Sequence, residues 1–229
     1  MRQIYLHTCL LGFTLLFLCA ACKKNEHSAT TIHHIYLNPN EFNYAATHTN
    51  NLSVLSFDTV ALVTKGKPWF IEPVQYEIGW KTTTDVRTFS TGVLVRGDSI
   101  WMHPPRMGKY AKLEWNAFPC VHLNSKIGKS WYGNLFVPVS QWPALLAKTD
   151  EKIVQIKSRY THVKDTLYIT PWGKEPVKII EAETHSLSGE TQSTFYYSNK
   201  FGFVNMTFWT FDKELITLEL TAINGISAL

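Results

Sequence analysis

The sequence lacks both a disulfide framework and the local signatures of common enzymes. Of the four cysteines among 229 residues, only Cys120 lies beyond the first 22 positions. Paired cysteines therefore cannot stabilise the body of the chain. The sequence contains no Gly-x-Ser-x-Gly elbow, no His-Glu-x-x-His pair and no Gly-x-x-x-x-Gly-Lys phosphate loop. We expect a protein that is not an enzyme and that holds no cofactor and no metal ion.

Clustered charge is also missing. The formal net charge is +4, and the densest basic stretch, Lys109 to Lys129, is interrupted by aromatic residues. A nucleic-acid partner is not expected, because such binding needs lysine and arginine gathered on one face. His33, His34 and His48 lie in a polar segment and are not expected to converge on a metal.

Cys120 follows Phe118 and Pro119 in an apolar stretch, which is typical of a small buried thiol. His122 would share its strand face, so pairing of the two as a nucleophile and its base is the minor alternative. Paired carboxylates for glycoside chemistry are another alternative, although Glu181 and Glu183 alternate as solvated residues do.

The first 22 residues are organised like a bacterial lipoprotein signal. Arg2 precedes an apolar run at residues 10–18, which is too short to cross about 30 Å of hydrocarbon and fits a cleaved signal. Ala20 and Ala21 then precede Cys22, an arrangement that resembles a lipobox. We expect cleavage after Ala21 and acylation of Cys22, with an ordinary signal peptide as the alternative.

The residues after Cys22 indicate where the protein goes and how it is divided. Lys23 stands where an aspartate retains many Gram-negative lipoproteins at the inner membrane, so we expect the outer membrane, on either face. Residues 1–21 are the predicted signal peptide. Residues 22–51, polar and rich in Asn, Thr and His, are the predicted lipidated N-terminus and flexible tether. Residues 52–229 are the predicted β domain.

The pattern of the body predicts an all-β fold. Arg96-Gly97-Asp98 is a predicted hairpin turn, and the prolines of residues 103–106 exclude a central strand there. A short helix is expected at residues 141–148 and a turn at Lys164-Asp165. After residue 153, alternating apolar and polar residues predict an antiparallel meander that forms a curved sheet, a half-barrel or a sandwich.

The closing strands carry a family resemblance. Residues 195–206 read Phe-Tyr-Tyr-Ser-Asn-Lys-Phe-Gly-Phe-Val-Asn-Met, and Phe208, Asp212 and Leu218-Glu219-Leu220 follow. With Cys22-Lys23-Lys24, these residues resemble exported lipoproteins of Bacteroidetes-type bacteria. The resemblance implies an open, curved sheet, which also occurs in half-barrels that carry lipoprotein acyl chains, and it brings no catalytic residues.

Aromatic residues are abundant, at 14% of the chain. Most rings in a sheet protein fill the core, because each buries roughly 150–250 Å². The alternative is a concave face whose rings hold a sugar or an acyl chain. Met206 and Phe208 share one face of a strand and Trp209 and Phe211 the other, which predicts a strand that is sandwiched or lines a cavity.

The residues predicted to form the rim of a ligand site are Trp101, His103, Arg106 and Trp115. The stiff proline loop would present Arg106 to an anionic group and His103 as a pH-sensitive donor. The alternative is that this loop only ends the sheet and that Arg106 pairs with Glu114.

Two functions stay open at this level. The first is a binding or chaperone-like module in the cell envelope for an apolar or glycan ligand. The second is a structural or assembly lipoprotein that docks on another envelope protein, and an envelope hydrolase is a weaker third. In each case the lipid on Cys22 would hold the protein at the membrane.

We expect the mature protein to begin at an acylated Cys22. Mass spectrometry of protein extracted from membranes should find lipid on an N-terminal cysteine. Cys22→Ala should release the protein from membranes, because the modified thiol is gone, whereas the control Cys120→Ala should leave it membrane-bound. An intact Met1, or a mature chain that begins elsewhere, would contradict the prediction.

Overall fold

Antiparallel strands make up most of the computed structural model, which describes residues 35–50, 53–83, 88–138, 152–186 and 189–227. Within these ranges thirteen strands form one sheet. Two 3-10 helices, Ile35–Leu37 and Gly108–Trp115, accompany it. The strands are β1 (Asn40–Asn50), β2 (Ser53–Pro68), β3 (Tyr76–Thr82), β4 (Phe89–Arg96), β5 (Ser99–Met102), β6 (Cys120–His122), β7 (Ser130–Pro138), β8 (Ile153–Thr170), β9 (Gly173–Ser186), β10 (Gly189–Ser198), β11 (Gly202–Trp209), β12 (Glu214–Ile223) and β13 (Ile226–Ser227).

The sheet consists of two meanders joined through the first strand. Its order is β6-β5-β4-β3-β2-β1-β12-β11-β10-β9-β8-β7, and β13 pairs with β12. Apart from β6 and β7, strands β1 to β12 that follow one another in the chain are neighbours in the sheet, as short turns favour. The exception is the antiparallel pair of β1 and β12, which places Tyr44 opposite Leu220 and Ala46 opposite Leu218. β6 and β7 are therefore the two end strands.

The sheet curls around a core on its concave face, so the half-barrel among the predicted all-β forms is confirmed. Alternate residues point inward, and their rings fill the interior. The largest fully buried side chains are Trp80, Trp115, Tyr36, Tyr44, Tyr110, Tyr160, Tyr197, Phe42, Phe195, Phe203, Phe208 and Leu62.

The two ends of the sheet overlap. In β5 and β6, Ile100 and Val121 are paired and belong to the main core. Trp101 and Cys120 form the next pair along, so strand alternation directs them to the opposite face. Tyr160 of β8 belongs to the main core as well, yet β7 and β8 also cover the Trp101–Cys120 face. The inner face of β7 and β8 thus lies on the outer face of β5 and β6.

The segment from residue 103 to residue 119 crosses the concave side between β5 and β6. Tyr110 and Leu113 of its 3-10 helix are buried in the main core. Lys112 Nζ lies 2.6 Å from Asp212 Oδ2 and 2.7 Å from Glu214 Oε2, which ties the segment to the β11–β12 turn. Residues 103–106 form no strand, as predicted. Among the described residues no helix has the length and apolarity to span a membrane.

The predicted boundary at residue 52 is wrong. Residues 40–50, assigned to the tether from their polar composition, form β1 at the centre of the sheet. Phe42 and Tyr44 are completely buried, and Tyr36 accepts a hydrogen bond from the backbone N–H of Phe203 at 2.7 Å. The alternation of Phe42, Tyr44, Ala46 and His48 overrides the average polarity. Cys22 and the signal lie outside the described residues.

The turn predicted at Lys164-Asp165 is also wrong. β8 runs through both residues and shows only an irregularity in register between His162 and Lys164. The chain turns at residues 171–172 instead. The hairpin turn at Arg96-Gly97-Asp98 is confirmed, with a φ of 59° at Gly97 that suits a residue without a Cβ. The helix predicted at residues 141–148 lies outside the described residues.

His48 provides a titration test of the place of β1. Its side chain is 3% exposed, and its ring centroid lies 5.0 Å from that of Tyr110. Burial, with a contribution from Lys109, lowers the pKa of His48 to about 4. In a flexible tether the same imidazole would keep the usual pKa of roughly 6.5.

We expect stability to fall as the pH drops from 6.5 to 4. In this pH window His48 is protonated in the unfolded chain but stays neutral in the folded chain. Protonation therefore favours the unfolded state by up to about 3 kcal/mol. Urea unfolding across this range should show the loss. His48→Gln should flatten it, whereas the exposed control His185→Gln should not. Equal pH profiles in both variants would refute the burial of His48.

Candidate functional site

A cleft of about 380 Å³ lies between the overlapping ends of the sheet. This volume is within the range of small-molecule sites, roughly 300–1,000 Å³. β5 and β6 supply one wall, β7 and β8 supply the other, and the end of the crossing segment adds Asn116 and Phe118. The lining residues are Gln75, Leu94, Ser99, Trp101, Asn116, Phe118, Cys120, His122, Trp131, Tyr132, Gly133, Asn134, Leu135, Ile156, Ser158 and Tyr160.

The cleft is held together at one point by Trp131. Its indole Nε1 donates a hydrogen bond to Cys120 Sγ at 3.3 Å. Its ring stacks on His122 at 4.6 Å and on Tyr160 at 5.7 Å between centroids. Tyr160 in turn donates a hydrogen bond to the carbonyl of Phe118 at 3.0 Å. We call Trp131 with Cys120, His122 and Tyr160 the Trp131 latch, because it joins β6 to β7 through side chains.

Cys120 serves the latch as a buried acceptor. Burial raises the pKa of its thiol to about 12, although the indole hydrogen bond acts in the opposite direction. At neutral pH the group is a thiol, and a thiol is a poor nucleophile. The predicted buried cysteine is confirmed. His122 lines the same face as predicted, but its ring stacks on Trp131.

Glycine at position 133 gives the cleft its width. Gly133 lies on β7 opposite Ser158 of β8, with Trp131 and Leu135 on the same strand face. A Cβ at this position would lie 3.1 Å from Cε2 of Tyr160, which is tighter than ordinary contact. Any side chain at Gly133 would therefore enter the cleft or displace the ring of Tyr160.

Asn116 lines the cleft and has a buried side-chain acceptor without a partner among the described residues. Its side-chain nitrogen donates hydrogen bonds to the carbonyls of Gln192 and Trp209, both at 3.1 Å. Because two carbonyls require a donor, the amide nitrogen must face them. The amide oxygen Oδ1 is buried and has no hydrogen-bond partner among the described residues. A buried acceptor without a partner is costly, and a donor that reached this oxygen would remove the cost.

Of the four residues predicted to form the rim, Trp101 alone lines the cleft. It stacks on Phe118 with centroids 5.0 Å apart, and the ring of His103 contacts both, at 4.8 Å from Trp101 and 4.9 Å from Phe118. Arg106 Nε lies 3.0 Å from Oε1 of Glu114, whose side chain is only 5% exposed. The structure therefore has the alternative arrangement, in which Arg106 pairs with Glu114.

Trp115 lies elsewhere. It belongs to a second buried cluster with Val137, Val154 and Ile156, and it is 2% exposed. Its ring supports the inner face of β7 and β8 and is not presented to solvent at a rim. Trp115 is close to the proline loop in the sequence, but the crossing segment places it away from Trp101. Its place in the second cluster could therefore not be predicted from the sequence.

Sequence reasoning missed most of the cleft. No pattern in the sequence marked Trp131, Leu135, Tyr160 or Asn116 as part of a site. Alternation in β7 and β8 indicated which of these side chains share a face. Nothing local indicated that this face would meet Cys120 and His122 of β6.

The described lining of the cleft lacks the carboxylates that the glycoside alternative requires. Its lining, as far as the chain is described, includes no carboxylate, so no acid pair for glycoside hydrolysis is assembled there. Glu181 and Glu183 are exposed on β9. No three metal-ligating side chains converge in the described ranges.

A wider depression of about 750 Å³ lies beside the 3-10 helix of the crossing segment. Asp58, Thr83 and Tyr110 line it, together with Lys109. These groups already bond to one another: Thr83 and Tyr110 donate to the carboxylate of Asp58 at 2.9 and 3.3 Å, and Lys109 Nζ lies 3.5 Å from it. The cleft at the Trp131 latch is therefore the better candidate site.

Comparisons with known proteins find likeness among solved structures. No protein-family profile and no curated protein sequence matches the chain. The hypothetical lipoprotein YmcC of Escherichia coli is 12% identical with a TM-score of 0.38, over 86% of this chain and 91% of that one. An exported protein of Bacteroides fragilis with a YmcC-like fold is 12% identical with a TM-score of 0.42, over 81% and 95%. A LolA superfamily protein of Nitrosomonas europaea is 12% identical with a TM-score of 0.33, over 82% and 86%. The function proposed below rests on the cleft.

We expect Arg106 to stabilise the fold through Glu114. Arg106→Ala should lower the free energy of unfolding by about 1–3 kcal/mol, because it leaves a buried carboxylate without its cation. Adding Glu114→Gln should recover part of this loss. Chemical denaturation of the two variants and the parent measures both effects. An Arg106→Ala protein with the same free energy of unfolding as the parent would contradict this structural role.

Proposed function

We propose that this chain is a lipoprotein of the cell envelope, anchored in the outer membrane through Cys22, whose β domain binds an apolar ligand in the cleft at the Trp131 latch without catalysing a reaction. The observation that supports it is the cleft itself. Trp101, Phe118 and Trp131 line a cavity of about 380 Å³ that the core does not fill. Rings that line an unfilled cavity offer a ligand apolar surface that is removed from water on binding.

The lining also restricts the ligand. Most of its surface is aromatic or aliphatic, so the ligand body is a hydrocarbon chain or an apolar ring. The unsatisfied Oδ1 of Asn116 favours a ligand with one hydrogen-bond donor, such as a hydroxyl or an amide N–H. A glycan would use the same features differently, with a sugar ring on Trp101 or Trp131 and its hydroxyls on Asn116.

The second function, docking on an envelope protein, is favoured by the outer face of β7. Tyr132 and Phe136 are 75% and 62% exposed on this strand. β7 is an end strand that pairs with β8 alone among the described strands. An edge strand with exposed rings can accept another strand beside it. Tyr132 also lines the cleft, whereas Phe136 does not, so a substitution of Phe136 tests docking without changing the cleft lining.

Filling the cleft should weaken ligand binding without unfolding the protein. Gly133→Ile places a β-branched side chain, which strands favour, in the cleft against Tyr160. We expect the affinity for a dansyl-labelled fatty acid to fall about tenfold or more, since each 1.4 kcal/mol of lost contact is a factor of ten. Dansyl fluorescence measures the binding, and native mass spectrometry detects ligands that copurify.

The matched control is Gln155→Ile, which adds the same side chain on the exposed face of β8. It should bind the probe as the parent does. If the parent binds neutral oligosaccharides but not the fatty acid, the cleft is a glycan site. If Gly133→Ile and Gln155→Ile bind the probe equally well, the cleft is not the ligand site.

A further inference from the structure

The loop between β2 and β3 presents three large apolar side chains to solvent. Phe70, Ile71 and Val74 are 81%, 62% and 68% exposed. The loop is closed at its base, where the Trp69 N–H donates to the Gln75 carbonyl at 2.8 Å. Trp69 itself is buried. A loop anchored by a buried indole holds its apolar tip outward, and a tip of this kind marks an interaction site.

The chain enters the sheet beside this loop. Gly66, near the end of β2, is so close to the first described residues that a Cβ on it would lie 2.9 Å from Cδ of Pro39 and 3.3 Å from the carbonyl oxygen of Leu37. Twelve residues separate Cys22 from Ile35 in the sequence. An extended residue spans at most about 3.6 Å, so a lipid on Cys22 keeps this end of the sheet within roughly 50 Å of the membrane.

Charge near the loop is balanced. Lys65 and Lys67 lie 2.6 and 3.2 Å from the buried carboxylate of Glu77. Glu72 in the loop offsets the remaining positive charge. The loop therefore has no net charge with which to select an anionic partner, and its attraction must come from Phe70, Ile71 and Val74. Zwitterionic lipid, into whose interface apolar side chains insert, fits this surface.

A similar patch at the other end of β2 shows why exposure alone does not decide the matter. Val54, Leu55 and Phe57 are 52%, 56% and 77% exposed. They lie roughly 40 Å from the loop at about 3.3 Å per residue of strand. The chain enters at the loop end, so the loop is the apolar patch nearer to the segment that carries Cys22.

We propose that Phe70, Ile71 and Val74 insert into the lipid surface that holds Cys22. The β domain would then contact the membrane through the β2–β3 loop. The proposal rests on the lipid anchor of the proposed function and does not depend on the cleft. The loop then acts as a second contact, and the tethered domain has one orientation relative to the membrane.

The test compares two label positions of similar exposure in the lipidated protein, reconstituted into phosphatidylcholine vesicles. Ile71→Cys and Leu55→Cys carry an NBD fluorophore, and the unsubstituted protein, labelled in parallel, reports any label on Cys22 or Cys120. At position 71 we expect a blue-shifted emission that nitroxide-labelled lipids quench. At position 55 we expect the emission of a label in water. Raising the salt concentration should leave both results unchanged.

Adding Phe70→Ser and Val74→Ser to the labelled Ile71→Cys protein should reduce the quenching to the level of position 55. Vesicle flotation reports the anchor separately. If the protein floats with the vesicles and the label at position 71 stays in water, or if both positions are quenched alike, the insertion of the loop is refuted and the anchor is not. If the protein does not float, the anchor fails, and the proposal fails with it.

Discussion

The overlap of the two ends of the sheet is the constraint on which the rest of the structure depends. Ile100 and Val121 of β5 and β6 point to one face of the sheet, and alternation directs Trp101 and Cys120 to the other face, which is also buried. Burial on both faces requires a second cover, which β7 and β8 provide through the Trp131 latch. A sheet that ended at β6 would leave Trp101 in water. The cleft exists because β7 and β8 contact β6 at the Trp131 latch and are separated from β5 and β6 beside it.

The central position of β1 joins the start of the described chain to its end. β1 pairs with β2 and with β12, so the start of the domain is hydrogen-bonded to its last long strand. Tyr44 donates a hydrogen bond to the carbonyl of Phe203, and Tyr36 accepts one from the same residue's N–H. The first strand of the described chain is therefore fixed at the centre of the sheet and not at either edge.

The crossing segment separates the core from the cleft. Its middle fills the concavity with Tyr110 and Leu113, and its end supplies Phe118 and Asn116 to the cleft. The carboxylate of Glu114 in this segment pairs with Arg106. The guanidinium that the sequence suggested for an anionic ligand therefore holds the segment in place. The aromatic surplus is thus divided. Most rings fill the core, as their area favours, and a few line the cleft that the segment leaves open.

The sequence by itself determined the local features. Period-two alternation predicted the strands of the last third, and Gly97 predicted the hairpin turn. The apolar context of Cys120 predicted a buried thiol, because each of these properties depends on a few adjacent residues. The same alternation was present in β1 but was hidden by its polar neighbours. Only the tertiary structure decided that β1 lies at the centre of the sheet, that β8 continues through Lys164-Asp165, and that Trp131 meets Cys120. Strand pairing and sheet curvature join residues far apart in the chain, and alternation carries no information about which faces will meet.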